Sequence, residues 1–310
     1  MLIGMLQKTI QDMIEFSGIG LHSGLRVKVR VSPSAEDTGI CFIRKDLPGS
    51  PPIKAVSRNV VATNFATTLG SGGVTIGTVE HLMAAFYGLG VDNALVEVEG
   101  PELPIMDGSA AHFVDMIEEA GLATQSAPRK YLVIKRPIRV GDEEDKFVHL
   151  FPAEGDGLSI DYSIDFAHPY LNRQSFSGHL SKDVFTGEIV DARTFTFHRD
   201  VEILRKKGLA KGGSLSNALV IGDTSILNES GLRYPDEFVR HKVLDIVGDI
   251  ALLGMPIVGR LVAHRSGHAL NHKFVQKVLK NARRWEVVDS LAAEEPAARR
   301  PALTGELATA

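Results

Sequence analysis

Cysteine is almost missing from this chain: 310 residues contain one, Cys41. No intramolecular disulfide can form, and a thiolate-rich structural zinc site is excluded. Any metal must therefore be held by His, Asp or Glu, and eleven histidines leave room for that. A basic excess is also lacking. Lys and Arg total 34 against 38 Asp and Glu, a net charge of -4, which speaks against a nucleic-acid partner. No uninterrupted apolar run reaches the length of a membrane span. The first residues lack the basic start and apolar core of a signal peptide. The expectation is a cytoplasmic chain with no nucleic-acid partner and no transmembrane segment. What is present is globular: 44% hydrophobic and 23% charged residues, in a length that accommodates two ordinary domains.

One stretch organises the rest. Pro235 to Gly254 starts with Pro and two acids, as a helix N-terminus prefers, and ends at Gly254 with Pro256 just beyond. Phe238, Val243, Leu244, Ile246, Val247, Ile250, Ala251 and Leu253 make most of its surface apolar, so the helix is predicted to be buried. Yet Glu237, His241, Asp245 and Asp249 recur every four residues along one face. Buried ionisable groups need partners or a metal. His241 and Asp245 at i, i+4 could grip one cation, or simply hydrogen-bond to each other.

The remainder reads as strands leading into helices, twice. Leu25 to Val31 alternates apolar and polar residues, an antiparallel strand with one wet face. Ser17 to Gly24 is the turn before it, with His22 a polar loop residue. Ile40 to Arg44 is a strand, and Val60 to Leu69 is predicted as one more. Gly70 to Gly73 is a hairpin turn. Thr78 is the expected N-cap of a helix over 79–87, which places Glu80 and His81 in its first turn. A helix N-terminus disfavours imidazolium and so favours the neutral, ligating form. A second helix spans 112–120. Residues 124–130 are polar and aperiodic and are read as the interdomain linker. Further strands follow at 131–134, 147–151, 158–166 and 256–264, and a last helix at 271–284. The expected fold is α+β, in two domains of similar topology: residues 1–125, residues 126–288, and a disordered tail at 289–310.

Catalysis by zinc needs three protein ligands, an open position and a base. Spacing alone cannot join residues 81 and 241. Six segments in order do more: Ser17-Gly-Ile-Gly-Leu-His-Ser-Gly24, Thr78-Val-Glu-His81, Pro104-Ile-Met-Asp-Gly-Ser-Ala110, Ala192-Arg-Thr-Phe195, Phe238-Val-Arg-His-Lys-Val-Leu-Asp245 and Ser266-Gly-His-Ala-Leu-Asn271. Together, from about residue 9 to about residue 286, they resemble the UDP-3-O-acyl-N-acetylglucosamine deacetylase family, the zinc amidase of lipid A synthesis.

The resemblance implies one zinc ion, with Fe2+ as a possible substitute, held by His81, His241 and Asp245. It implies Glu80 as the base toward the attacking water and the Thr194 hydroxyl as a donor to the oxyanion. His268 would be protonated and donate to the leaving amine, oriented by Asp249. Lys242 would face the diphosphate of a UDP-linked acylated amino sugar. Phe195, Phe166 and Asp200 would hold the uridine end, and Leu21 with residues 208–213 would line the acyl passage. Ala66 stands where some relatives carry cysteine, and Arg265 where some carry lysine. The resemblance assigns Glu237 no role. The expected state is a monomer, with the Pro235 to Gly254 helix at the interdomain seam. Two other readings compete. One is a zinc amidohydrolase for another N-acyl sugar, since fold does not set substrate. The other is a non-catalytic metal-binding or interaction protein.

Overall fold

The computed structural model describes residues 5–153, 155–168 and 171–289. The chain opens with strands β1 (Leu6–Ile10), β2 (Ile14–Ile19), β3 (Arg26–Pro33), β4 (Ile40–Arg44) and β5 (Ile53–Lys54). Three short strands follow, β6 (Val60–Ala62), β7 (Thr68–Ser71) and β8 (Val74–Ile76). Helix α1 (Glu80–Leu89), β9 (Ala94–Glu99), α2 (Ala111–Ala120) and β10 (Leu122–Pro128) come next. Five strands then run in succession: β11 (Lys130–Ile134), β12 (Ile138–Gly141), β13 (Phe147–Phe151), β14 (Leu158–Ile164) and β15 (Gln174–His179). A single turn, α3 (Lys182–Val184), passes into a π-turn at Phe185–Ile189. The remaining elements are β16 (Phe195–Phe197), α4 (His198–Lys206), β17 (Leu219–Ile221), α5 (Glu237–Ile250), β18 (Ile257–His264), α6 (His268–Lys280) and β19 (Trp285–Asp289).

The architecture is α+β, built on two larger sheets. The first has the order β2-β3-β9-β4-β5. Its β3 shows why the sequence folds this way: Val27, Val29 and Val31 are buried while Arg26, Lys28 and Arg30 are exposed, one apolar face per pleat. The second sheet is organised by β18. That strand pairs in parallel with β11 at its start and with β14 further along, and antiparallel with β13. Small two- and three-stranded sheets complete the fold, among them β1-β10 and β6-β7-β8.

Helix α5 forms where its apolar spacing places it and stops at a short 3-10 turn (Ala251–Leu253) capped by Gly254 at φ 82°. Phe238, Val239, Val243, Leu244, Ile246, Val247 and Ile250 are almost wholly buried. Each such side chain contributes about 1.5–3 kcal/mol by leaving water. Truncating one, Leu244→Ala for instance, costs about 2–5 kcal/mol. Helix α1 packs along α5. Gly248 sits where the two backbones meet, and a Cβ there would collide with the Glu80 carbonyl. A glycine is required at that crossing for space, not for φ.

Four local expectations are corrected. Residues 124–130 are not an aperiodic linker: β10 pairs antiparallel with β1 through Leu6↔Pro128 and Lys8↔Thr124, so polar composition hid an edge strand whose partner is distant in sequence. Val60 to Leu69 is not one strand. It breaks after Ala62, Phe65 takes φ 65°, and pairing resumes at Thr68. Thr78 does not cap α1. Its φ is 54° and its hydroxyl donates instead to Glu102 Oε2 at 3.0 Å. The last helix starts three residues earlier than read, at His268, and β19 follows it to pair with β11. Of the tail expected to be disordered, residues 290–310 lie outside the described residues.

Candidate active site

The first turn of α1 and the middle of α5 meet across the Gly248 contact. This brings together His81, His241 and Asp245, whose candidate ligand atoms lie within 4.8 Å of one another. All three are buried. His81 Nε2 is 3.7 Å and His241 Nε2 3.3 Å from the same oxygen, Asp245 Oδ1. The two imidazoles stand edge to face, 5.1 Å between centroids.

His241 is aimed by its other nitrogen. Nδ1 lies 3.0 Å from the Ala192 carbonyl oxygen. A carbonyl can only accept, so Nδ1 carries the proton and Nε2 presents a lone pair toward Asp245. Burial pushes this imidazole down to about 3, against the pull of Asp245, so it is neutral. His81 Nδ1 is buried with no hydrogen-bond partner. An orphaned imidazole nitrogen, a second imidazole turned inward and a carboxylate between them fit a divalent cation of the N/O-binding class. Burial works to raise the Asp245 carboxyl, but the Lys242 and His268 charges hold it well below its usual range. The Lys242 ammonium sits directly on Asp245 Oδ2. Despite burial, that pairing raises it above the ordinary lysine value.

Glu80 opens α1 beside His81 and is buried. Burial pushes its carboxyl up, partly offset by His268 and His81. The Thr67 amide donates to its Oε2 at 3.0 Å. A carboxyl raised in this way is a stronger base toward a water proton than an exposed carboxylate. His268 is the first residue of α6. Its Nδ1 lies 2.9 Å from Asp249 Oδ2, and its Nε2 is 4.0 Å from Asp245 Oδ2. Burial opposes its charge, yet Asp249 and Asp245 carry it up to about 10, so it is an imidazolium at neutral pH. Asp249 is held from two further sides, by Thr67 Oγ1 at 2.6 Å and Asn271 Nδ2 at 2.8 Å.

A profile described as UDP-3-O-acyl N-acetylglycosamine deacetylase (LpxC) matches residues 7–280. The UDP-3-O-acyl-N-acetylglucosamine deacetylase of Myxococcus xanthus is 50% identical over 91% of this chain and 89% of its own. This chain belongs to that deacetylase family. The deacetylase of Acidithiobacillus ferrooxidans is 47% identical over 91% of this chain and 93% of its own. That of Nitratidesulfovibrio vulgaris is 49% identical over 96% of each.

Against this family background, other residues fall at graded distances. Thr194 lies on the segment that supplies Ala192, its amide donating to the Gly108 carbonyl at 2.8 Å. Phe195 is 6.2 Å from the His241 ring and 5.1 Å from Phe238, and Phe166 packs on Phe195 at 5.9 Å. Leu21 lies in the turn after β2, where Gly212 donates to its carbonyl at 3.0 Å. Asp200 is in the first turn of α4, and nothing joins it directly to the metal-ligand group.

Several supporting residues were invisible to sequence reading. Thr67 ties Glu80 to Asp249. Glu102, buried, accepts from the His22 and Ser23 amides and from Thr78, pinning the turn after β2 to the start of α1. Glu237 also has a duty. Fully buried, it accepts from the Arg193 amide at 3.0 Å, from Arg193 Nε at 2.8 Å and from the Arg233 amide at 2.6 Å. Arg193 follows Ala192, so Glu237 positions the carbonyl that aims His241. Its place in the four-residue stripe was the one available signal.

Proposed function

We propose that this chain hydrolyses the acetamide of UDP-3-O-acyl-N-acetylglucosamine, releasing acetate, the deacetylation step of lipid A synthesis, in the cytoplasm and as a monomer. One observation carries the reading: two imidazoles and a carboxylate, His81, His241 and Asp245, bring candidate ligand atoms within 4.8 Å of one another, with the buried Glu80 next to His81 in the chain and His268 4.0 Å from Asp245. Among the described residues no helix is long and apolar enough to cross a membrane.

We assign one zinc ion, with Fe2+ as a possible substitute, to His81, His241 and Asp245. The cation, when bound, supplies Lewis acidity toward the amide carbonyl and the attacking water. Glu80 takes a proton from that water as it adds to the carbonyl carbon. Thr194 donates its hydroxyl to the developing oxyanion, worth about 3–4 kcal/mol for a donor of this kind. His268 gives its proton to the amine as the C–N bond breaks, and Asp249 keeps that imidazole charged and oriented. Acetate and the free amine account for all atoms of amide and water. Lys242 is assigned to the diphosphate, as an ammonium suits. Phe166, Phe195 and Asp200 are assigned to the uridine end, and Leu21 to the acyl passage. In this reading residues 1–125 supply Glu80 and His81, residues 126–288 supply the rest, and α5 lies at the seam.

The test is acetate release from UDP-3-O-acyl-N-acetylglucosamine by zinc-loaded protein and by Glu80→Gln. Wild type should turn over, and the variant should keep its zinc while losing about 10²–10⁴-fold in rate. Zinc-loaded wild type that releases no acetate would falsify the assignment.

A further inference from the structure

The chain carries 38 acidic residues and a net charge of -4, yet residues 16–35 and residues 203–222 contain no Asp or Glu. These two acid-free stretches touch. The Lys211 amide donates to the His22 carbonyl, and Gly212 to Leu21. Gly24 abuts Lys211, and Gly212 abuts Ile19 and Gly20. Arg26, Arg205, Lys206, Lys207 and Lys211 are exposed on them. None of these five has an acidic partner in an ion pair among the described residues; Arg26 donates to the Ser17 hydroxyl.

The same two stretches expose large apolar side chains where an isolated soluble surface has no use for them. Leu25 is 55% exposed, Ile203 50%, Leu215 50% and Ile19 42%. Helix α4 links the two properties: its apolar Ile203 stands beside a last turn of Arg205 and Lys206, with Lys207 as C-cap. Its acids, Asp200 and Glu202, both precede Ile203.

We infer that the joined surface of residues 19–26 and 203–215 docks on an anionic phospholipid bilayer, its cations on the headgroups and its exposed leucines and isoleucines in the interfacial layer. Cations interspersed with apolar side chains on one face are the composition that binds such an interface, where each lysine near the surface strengthens binding about fivefold. A single-sign field on a chain of opposite net charge also orients the approach. A bilayer fits this surface better than a protein groove because cations flank the apolar residues and neither stretch, 16–35 or 203–222, contains an acid to set a polar register. The inference needs neither the proposed substrate nor the metal, but the two fit: a substrate with an acyl chain partitions to the same interface.

The test is flotation of the full chain with vesicles of phosphatidylcholine alone and of phosphatidylcholine mixed with phosphatidylglycerol, no substrate present. Binding should favour the anionic vesicles and fall between roughly 0.15 M and 1 M salt, as the screening length shortens. Lys206→Glu with Lys207→Glu should cut it at least about 25-fold, two lysines at fivefold each. Glu202→Lys should raise it about fivefold or more. Both variants should keep the wild-type melting profile and wild-type turnover of substrate supplied in solution. Equal partition onto both vesicle types, no partition onto either, or indifference to both variants would overturn the inference. Because no turnover is read in flotation, a failed deacetylase assignment leaves this result standing, and the reverse.

Discussion

Two histidines, His241 buried and His268 largely so, flank the same carboxylate, Asp245, and end in opposite protonation states. His241 is pushed down to about 3 and His268 up to about 10. Burial acts on both in the same direction. What differs is the partner of Nδ1: a neutral backbone carbonyl, Ala192, at His241, and a carboxylate, Asp249, at His268. A carbonyl fixes the tautomer without supporting a charge, as the proposed ligand role of His241 requires. A carboxylate supports the charge, as the proposed acid role of His268 requires. Two imidazoles around one α5 carboxylate thus differ in kind because of what stands behind each.

The largest way to break the comparison is to remove the shared carboxylate or the neutral imidazole. Asp245→Ala and His241→Ala should each lose stoichiometric metal and reduce deacetylation by at least about 10³-fold, read by metal analysis beside initial rates. Retention of metal and rate in both would sink the assembled site.

Next in size is the charged side. Asp249→Asn should keep metal but cut turnover about 10²-fold. The sign follows from the role of His268 as imidazolium. Activity depending on its proton persists at low pH and is lost as pH rises through the folded value, about 10. Without Asp249 that value drops, so the alkaline limb of the pH–rate profile should move to lower pH. The same shift bears on stability. A folded value above the ordinary 6.5 stabilises fully below 6.5, and the contribution fades as pH climbs toward 10. An alkaline limb that stays in place in Asp249→Asn would show that the charge has another source.

The smallest expected effect sharpens the neutral side. Glu237→Gln keeps the side-chain shape but weakens the hold on Arg193, so Ala192 O loses its fixed position. Metal affinity should fall about 10-fold, the low end for a partner that orients a ligand, with kcat at saturating metal near wild type. A loss of kcat with unchanged metal affinity would argue against aiming of His241 through this route. Glu237→Ala, which strands Arg193 in the interior, should cost about 3–5 kcal/mol of stability in denaturant titration.

Local pattern carried a good part of this. The α5 helix, its stop at Gly254, the alternation of β3 and the glycine hairpin between β7 and β8 are each written in spacing that a single element imposes on itself. The α+β class follows from the same signals. The joining of the site was not legible that way. His81 and His241 are far apart in the chain, and resemblance to a family, not spacing, put them side by side. Residues that act through tertiary contacts left still less trace. Thr67 is one threonine in a threonine-rich stretch, and two of its hydrogen bonds reach Glu80 and Asp249 on different helices. Thr78 looked like a cap because local competition favours one, but Glu102 offered a better acceptor. Residues 124–130 looked like a linker because an edge strand facing water needs no apolar alternation when its partner supplies the pairing.

Gly248 has a consequence beyond fit. Ligands on two different helices can share one ion only if the spacing of those helices is held to a fraction of an ångström. That spacing is set by a backbone-to-backbone contact, with no side chain between to flex. Gly248→Ala would act like a shim one carbon thick. It would leave every ligand, base and acid chemically intact and still separate α1's contribution from α5's. The tolerance of the whole centre is thus machined at a residue that carries no functional group.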